Sequence, residues 1–236
     1  MRVLERDPDL ARGLPPDQLP LAERHLVASV RHIEPGEWAG PWAADEDATG
    51  HLGVLVLDGL VLRVQRIGTV SAAELLGAGD VLRPWLTGQE GSSLSSMARW
   101  QVLQPTAIAV LDRRFATVAG RWPEVSSALM ERSVQRARLL SFQMAIASVR
   151  RIDARLLLLF WRLADRWGRV TGDGIVVPLR LTHGWLASLV GAQRPSVTTA
   201  LGHLAGAGRI ERLPDGSWLL RGDPPDLGEP LFAASA

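Results

Sequence analysis

Residues 181–220, LTHGWLASLVGAQRPSVTTALGHLAGAGRIERLPDGSWLL, constrain this chain more than any other stretch, because cap, helix, turn, helix and hairpin signals follow one another there without a gap. Thr182 is a candidate N-cap, and Trp185, Leu186, Leu189 and Val190 recur at the spacings of one helix face. Ala187 is small enough to let a second helix cross closely, and Gly191 supplies the left-handed residue that ends the first helix. Residues 191–193 form the turn. Pro195 fits the first turn of the second helix, where its missing N–H is no loss. That helix carries Val197, Ala200, Leu201 and Leu204 inward and leaves Gln193, Arg194, Ser196, Thr198, Thr199 and His203 outward. After Gly206 and Gly208, residues 209–213 and 218–221 read as two strands joined by the turn Pro214-Asp215-Gly216-Ser217.

Apolar residues at helical spacing would also serve a plain packing hairpin. The ordered set of cap, small residue, glycine, Arg-Pro start and hairpin selects a winged helix-turn-helix, which lays its second helix in the major groove of double-stranded DNA. Thr182, at the first helix start, and Arg212, on the wing, complete the candidate DNA-contacting set. Charge agrees with this placement. Residues 1–122 hold 12 Arg against 15 acids, net −3, whereas residues 131–221 hold 14 Arg against 6 acids, net +8, and the chain has no Lys.

Composition removes several alternatives. The 236 residues suffice for two modest domains, each with its own core. With no Cys there are no disulfides, thiolate-ligated iron–sulfur clusters or thiol switches. The first 20 residues are charged and Pro-rich, unlike a signal peptide, and the longest apolar run, residues 156–161, is far too short for a bilayer, so a cytoplasmic location without membrane association is expected. No nucleophile elbow and no metal-ligand spacing occur, so neither an enzyme nor a metal or cofactor site is expected. His25, His32 and His51 are scattered and offer no haem-ligand pattern.

Along the chain, the first 20 residues read as polar and residues 21–31 as a short helix. From 33 to 115, short apolar runs at 52–57, 60–64, 81–82, 100–103 and 107–111 alternate with turn signals such as Pro35-Gly36, Asp58-Gly59, Gly77, Gly79-Asp80 and Gly88, which predicts an antiparallel sandwich or barrel. Residues 124–151 lack Gly and Pro and predict one long helix. Val125, Arg132, Leu139 and Ile146 share one heptad position, and Ala128, Gln135, Phe142 and Val149 the other; this face either packs on its own β-domain or makes an intersubunit coiled coil, with Leu139, Phe142 and Ile146 as the seam. A helix over 153–167 buries Leu156, Leu159, Phe160 and Leu163, residues 168–178 form a linker, and residues 222–236 read as a mobile tail.

This order of parts, with LDGLVLRVQRIG, LLGAGDVL and TAIAVLDRRF as strands and residues 181–213 as the strongest match, resembles the CRP/FNR family of bacterial transcription regulators. The resemblance implies an α+β chain: an N-terminal antiparallel β jelly-roll of the cyclic-nucleotide-binding kind over 1–122, a dimerisation helix over 123–151, a winged helix-turn-helix over 152–222 and a tail over 223–236. It further implies a homodimer on a palindromic operator, a small-molecule effector sensed by the β-domain, RNA polymerase as partner of an activator, and a hinge near 149–153. Arg194 matches a residue that contacts guanine, and its fork suits O6 and N7; Ser196 matches a phosphate contact. Pro195 and Thr199 replace two customary base readers, so a different operator is expected. In the sensory pocket, Arg83-Pro84 stands where nucleotide-binding relatives have Gly-Glu, and Ser96 where they have the phosphate arginine, which predicts that cyclic AMP is not the effector. Arg83 and Arg99 either clasp an anion or are solvated surface groups. Trp38, Trp42, Trp85 and Trp100 either pack the core or line a pocket for a flat ligand; Arg83, Trp85, Ser96 and Arg99 are the candidate effector residues. A ligand-independent, constitutive or architectural DNA-binding protein of the same fold is the alternative.

Overall fold

The computed structural model describes residues 1–39, 49–83 and 93–225, which fall into two units: residues 1–69 with 74–139, and residues 70–73 with the chain from 140 onward. In the first, the N-terminal segment is less polar in use than in composition. α1 (Val3–Arg6), a 3₁₀ turn (Pro8–Ala11) and α2 (Leu19–His25) bury Val3, Leu4, Leu10 and Ala22. The helix expected over 21–31 stops at His25, because residues 29–33 are taken by a strand.

Six strands follow: β1 (Ser29–Ile33), β2 (Gly36–Trp38), β3 (Gly53–Ile67), β4 (Val70–Gly77), β5 (Val81–Leu82) and β6 (Ser96–Leu111). They make one sheet in the order β1-β6-β3-β4, in which β1, β2 and β3 each pair antiparallel with β6, and β5 pairs antiparallel with β3. The runs 52–57 and 60–64 are one strand, as are 100–103 and 107–111. Asp58-Gly59 is a bulge and not a chain reversal: pairing shifts between Asp58↔Ala107 and Leu60↔Gln104, Gly59 has φ +97°, and a Cβ there would lie 2.4 Å from the Thr106 hydroxyl oxygen. Pro105, with no N–H to donate, falls where the ladder is already interrupted. The period of two divides the core accordingly. Leu55, Ala109 and Leu111 pack with the N-terminal helices, Phe115 and Trp122, while Val54, Val56 and Ile108 pack with Leu76, Leu82 and Trp100.

α3 (Arg113–Ala119) begins at Asp112, whose carboxylate accepts the Phe115 N–H at 2.8 Å. α4 (Pro123–Ser148) is the long helix, and its Val125 and Leu129 close the core shared with Phe115. Arg132 on α4 pairs with Asp7 at 3.0 Å. Among the described residues no helix is long and apolar enough to cross a membrane.

In the second unit α4 ends at Ser148 and α5 (Ile152–Trp167) starts after three non-helical residues, where the hinge was expected. Leu156 to Leu159, Phe160 and Leu163 are buried. Arg155 donates through Nε to the Val149 carbonyl and through Nη1 to the Val190 and Gly191 carbonyls, both at 3.2 Å, so it ties this break to the end of a later helix. The expected linker is a hairpin: β7 (Arg169–Thr171) and β8 (Gly174–Val177) turn at Gly172-Asp173. Then come α6 (His183–Val190), α7 (Arg194–Gly206), β9 (Ile210–Arg212) and β10 (Trp218–Leu220), and the four short strands form a sheet ordered β7-β8-β10-β9. Of the tail read as mobile, residues 226–236 lie outside the described residues, as do Trp42, Pro84, Trp85 and Gly88.

Candidate nucleic-acid interface

α6 and α7 are set by their ends. The Thr182 hydroxyl oxygen accepts the Trp185 N–H at 3.2 Å, and because a hydroxyl also carries a hydrogen, Thr182 can cap α6 and still donate outward. Gly191 terminates α6 in the left-handed region at φ +63°, ψ +46°. Leu186, Leu189, Val197, Ala200, Leu201 and Leu204 are buried, and the Phe160 and Trp218 rings, 5.0 Å apart, join α5 to the wing.

The opposite face of α7 is polar. Gln193, Arg194, Ser196, Thr198, Thr199 and His203 are all exposed, and the helix has no acidic residue. Thr198 and Thr199 donate back to the carbonyls of Arg194 and Pro195 at 3.1 and 3.3 Å. On the wing, Arg212 is exposed with its guanidinium carbon 5.7 Å from the centre of the buried Trp218 ring, which restricts where the charge can point. The wing turn is held by Asp215, which accepts from the Ser217 hydroxyl at 2.6 Å and the Ser217 N–H at 2.9 Å; these bonds keep the Asp215 carboxyl below its ordinary value.

One residue of this surface escaped the sequence reading. His183, the first residue of α6, places Nδ1 2.9 Å from the Thr198 hydroxyl. Burial holds its imidazole below the usual histidine value, and the charges of Arg212 and then Arg194 add to that depression. Its position directly after the cap Thr182 was the available signal.

The first unit contains a cavity of about 530 Å³ between the sheet and α4, lined among others by Arg63, Arg83, Trp100, Leu129, Ser133 and Arg136. Arg83 is there, with Nε donating to the Leu52 carbonyl at 2.9 Å. Ser96 and Arg99 are not among its lining residues; they start β6, opposite Ile67 and Val64. The arginines the sequence reading did not name, Arg63 and Arg136, both hold the buried Glu74 carboxylate. Arg136 binds it through Nη2 at 2.6 Å and Nε at 3.1 Å, and Arg63 through Nη1 at 3.1 Å while lying over the Trp100 ring. Trp100 is 5% exposed and meets Trp38 edge-on at 5.9 Å.

Of the expected seam residues on the long helix, one is buried within the chain and two are not. Ile146 is 2% exposed and Val125 fully buried, so the heptad position they share faces the interior of the chain itself. Leu139 is half-buried, and Phe142 is exposed. Besides Phe142, the most exposed large apolar residues of α4 are Met130, Val134 and Met144, at 69, 47 and 72% exposure. The heptad position shared by Val125 and Ile146 is thus used internally, while Phe142, at the other position, faces outward.

A capped, glycine-terminated helix pair with a polar second helix and a hairpin wing, following an antiparallel β-domain and a long helix in the chain, defines a winged helix-turn-helix. Residues 154–227 match the model of the Crp-like helix-turn-helix domain, and over about four-fifths of its length the chain has the fold of CRP/FNR-type regulators. Among solved structures it is similar to a CooA mutant from Carboxydothermus hydrogenoformans (20% identity, 82% of this chain and 83% of that one, TM-score 0.62). FixK2 from Bradyrhizobium japonicum gives 18% identity over 83% of this chain and 93% of that one, with TM-score 0.63. A CRP/FNR-family transcriptional regulator from Thermus thermophilus gives 19% identity over 82% of this chain and 94% of that one, with TM-score 0.58. No curated protein matches the chain.

Proposed function

We propose that the chain is a homodimeric, sequence-specific transcription regulator whose β-domain senses a small effector other than cyclic AMP. The observation that carries this reading is the exposed, acid-free face of α7, with Arg194 in its first turn and Arg212 on the wing. Arg194 reads a guanine bidentately; Ser196, Thr182 and Arg212 hold phosphates; Gln193, Thr198, Thr199 and His203 complete the contact face. Met130, Val134 and Met144 supply the dimer face of α4, together with Phe142.

The cavity supports the effector. Its volume lies within the ~300–1,000 Å³ of small-molecule sites. Ser96, aligned with the phosphate arginine of nucleotide-binding relatives, neither carries a charge nor lines the cavity, which favours a ligand other than cyclic AMP. A constitutive regulator is the second reading, favoured by one feature: Glu74 already satisfies Arg63 and Arg136 without a ligand.

Selection of duplexes from a random-sequence library by the full chain tests the main reading. The expected winner is an inverted repeat with half-sites about 34 Å apart, one turn of DNA. A library that stays random after repeated rounds overturns it.

A further inference from the structure

We propose that His183 is a proton-coupled phosphate contact: when the chain binds DNA, the Nε2 of this ring takes up a proton from solvent, keeps it and donates a hydrogen bond to a backbone phosphate oxygen, so affinity for DNA rises as pH falls. This rests on the DNA-binding reading and adds to it a residue and a pH dependence.

The hydrogen bonds fix the ring first. Thr198 has one hydroxyl hydrogen, and we assign it to the Arg194 carbonyl, 3.1 Å away, because that oxygen can only accept whereas the imidazole can supply its own hydrogen. Toward His183 the Thr198 oxygen therefore accepts, and Nδ1 carries a hydrogen. In the neutral ring Nε2 is left with a lone pair, and no described residue bonds to it. A lone pair facing phosphate repels; a protonated Nε2 makes a charge-assisted bond.

The surroundings decide when the proton binds. The charged groups acting on His183 are Arg212 of β9 and Arg194 of α7, both positive. No described acid pairs with the ring. In free protein these arginines and partial burial disfavour the imidazolium. Phosphates laid across the same arginines reverse the sign of the local field, and the ring then gains its proton. The sign follows from linkage. The complex binds more protons than the separate partners over the interval between the low titration point of the free protein and the higher one of the complex. Affinity falls as pH rises through that interval and is flat on either side. One proton per protomer allows up to a tenfold change in affinity per pH unit for each protomer bound.

His183 sits beside one rival. The chain has five histidines, and of those only His183 and His203 lie beyond residue 51. His203 is exposed near the far end of α7 and serves as the control.

The test is fluorescence anisotropy from pH 5.5 to 8.5 at constant ionic strength, with a labelled duplex enriched from a random library by the wild-type chain, together with titration calorimetry in two buffers of different ionisation enthalpy to count protons taken up. Wild type and His203→Gln are expected to show the pH slope and proton uptake, His183→Gln to lose both, and His183→Arg to bind as wild type does at low pH without the slope. A slope that survives in His183→Gln, or vanishes in His203→Gln, overturns the assignment. Failure of every variant, His183→Arg included, to bind any duplex at any pH overturns the DNA-binding reading itself. Circular dichroism of each variant confirms that folding is intact.

Discussion

Arg194 and Arg212 carry the same charge, and their settings separate their roles. Arg194 is the first residue of α7 and Arg212 lies on β9 over the Trp218 ring; on the function proposed above the first presents its fork to a base edge and the second meets the DNA backbone. Arg194→Ala is therefore expected to cost about 1–3 kcal/mol on the selected duplex and to relax preference at one base pair per half-site, whereas Arg212→Ala weakens all duplexes alike and flattens the salt slope. Binding to a panel of single-base variants checks this; unchanged discrimination by Arg194→Ala sinks the assignment. At Gly191 the argument is conformational. Its φ of +63° costs an L-residue about 1–2 kcal/mol, while a Cβ would meet nothing closer than Ala147 at 3.8 Å. Gly191→Ala should thus lower stability by that amount in denaturant titration; a larger loss would point to a clash that this spacing does not contain. Gly191, Thr182, Pro195 and the buried α7 residues were all legible in the sequence because each rests on a local rule. His183 was not, since its role depends on which way the Thr198 hydroxyl points.

At the scale of elements, legibility followed the reach of the interaction. α5, α6, α7 and the wing are recognisable from their own periodicity and ends. The apolar runs of β3 and of β6 are each two in the sequence, because Asp58-Gly59 looks like a turn locally and residues 104–106 interrupt the apolar pattern; both become one bulged ladder only when the two strands pair. The hairpin of β7 and β8 was missed for a related reason: β7 has three residues, all exposed, so no apolar alternation marks it. The long helix shows the same limit. Heptad counting found a real stripe, but Val125 and Ile146 on it are consumed inside the chain, and Arg132 on it is paired with Asp7. The outward apolar residues make a prediction that separates the two faces. Val134→Asp and Met144→Asp place carboxylates opposite each other in a desolvated dimer seam, which is strongly unfavourable, so sedimentation should show monomers of normal stability. Ile146→Ala removes a buried side chain, costing about 2–5 kcal/mol of folding stability while leaving association at high protein concentration unchanged. Dimers that survive both aspartates would show that self-association uses another surface.

Over the whole molecule, function divides by charge and by cavity. Residues 131–221, which contain the winged helix-turn-helix, carry net +8, and residues 1–122 carry net −3, so the positive field that a polyanion would meet lies with the second unit. The β-domain offers a cavity instead. This cavity was the least legible part of the sequence, because its charged groups come from separate elements: Arg63 from β3, Glu74 from β4 and Arg136 from α4 meet only after folding, and Arg83 alone among the described effector candidates lines the space. Their chemistry nevertheless argues against a cyclic nucleotide. A buried cyclic phosphate needs a charged partner to replace its hydration. Arg63 and Arg136 are engaged by Glu74, and a phosphate entering there must compete with a carboxylate already held at 2.6 Å. Millimolar cyclic AMP is accordingly expected to leave both the melting temperature and the DNA affinity unchanged. A true effector at 100 times its dissociation constant should add about 2.7 kcal/mol to stability, a shift easily read in a thermal screen of organic acids and aromatic metabolites. Glu74→Gln weakens the internal competitor, so this variant should bind an anionic effector more tightly than wild type. Micromolar binding of cyclic AMP by the wild-type chain, measured by titration calorimetry and lost in Arg136→Ala, would restore the nucleotide sensor and show that the phosphate displaces Glu74.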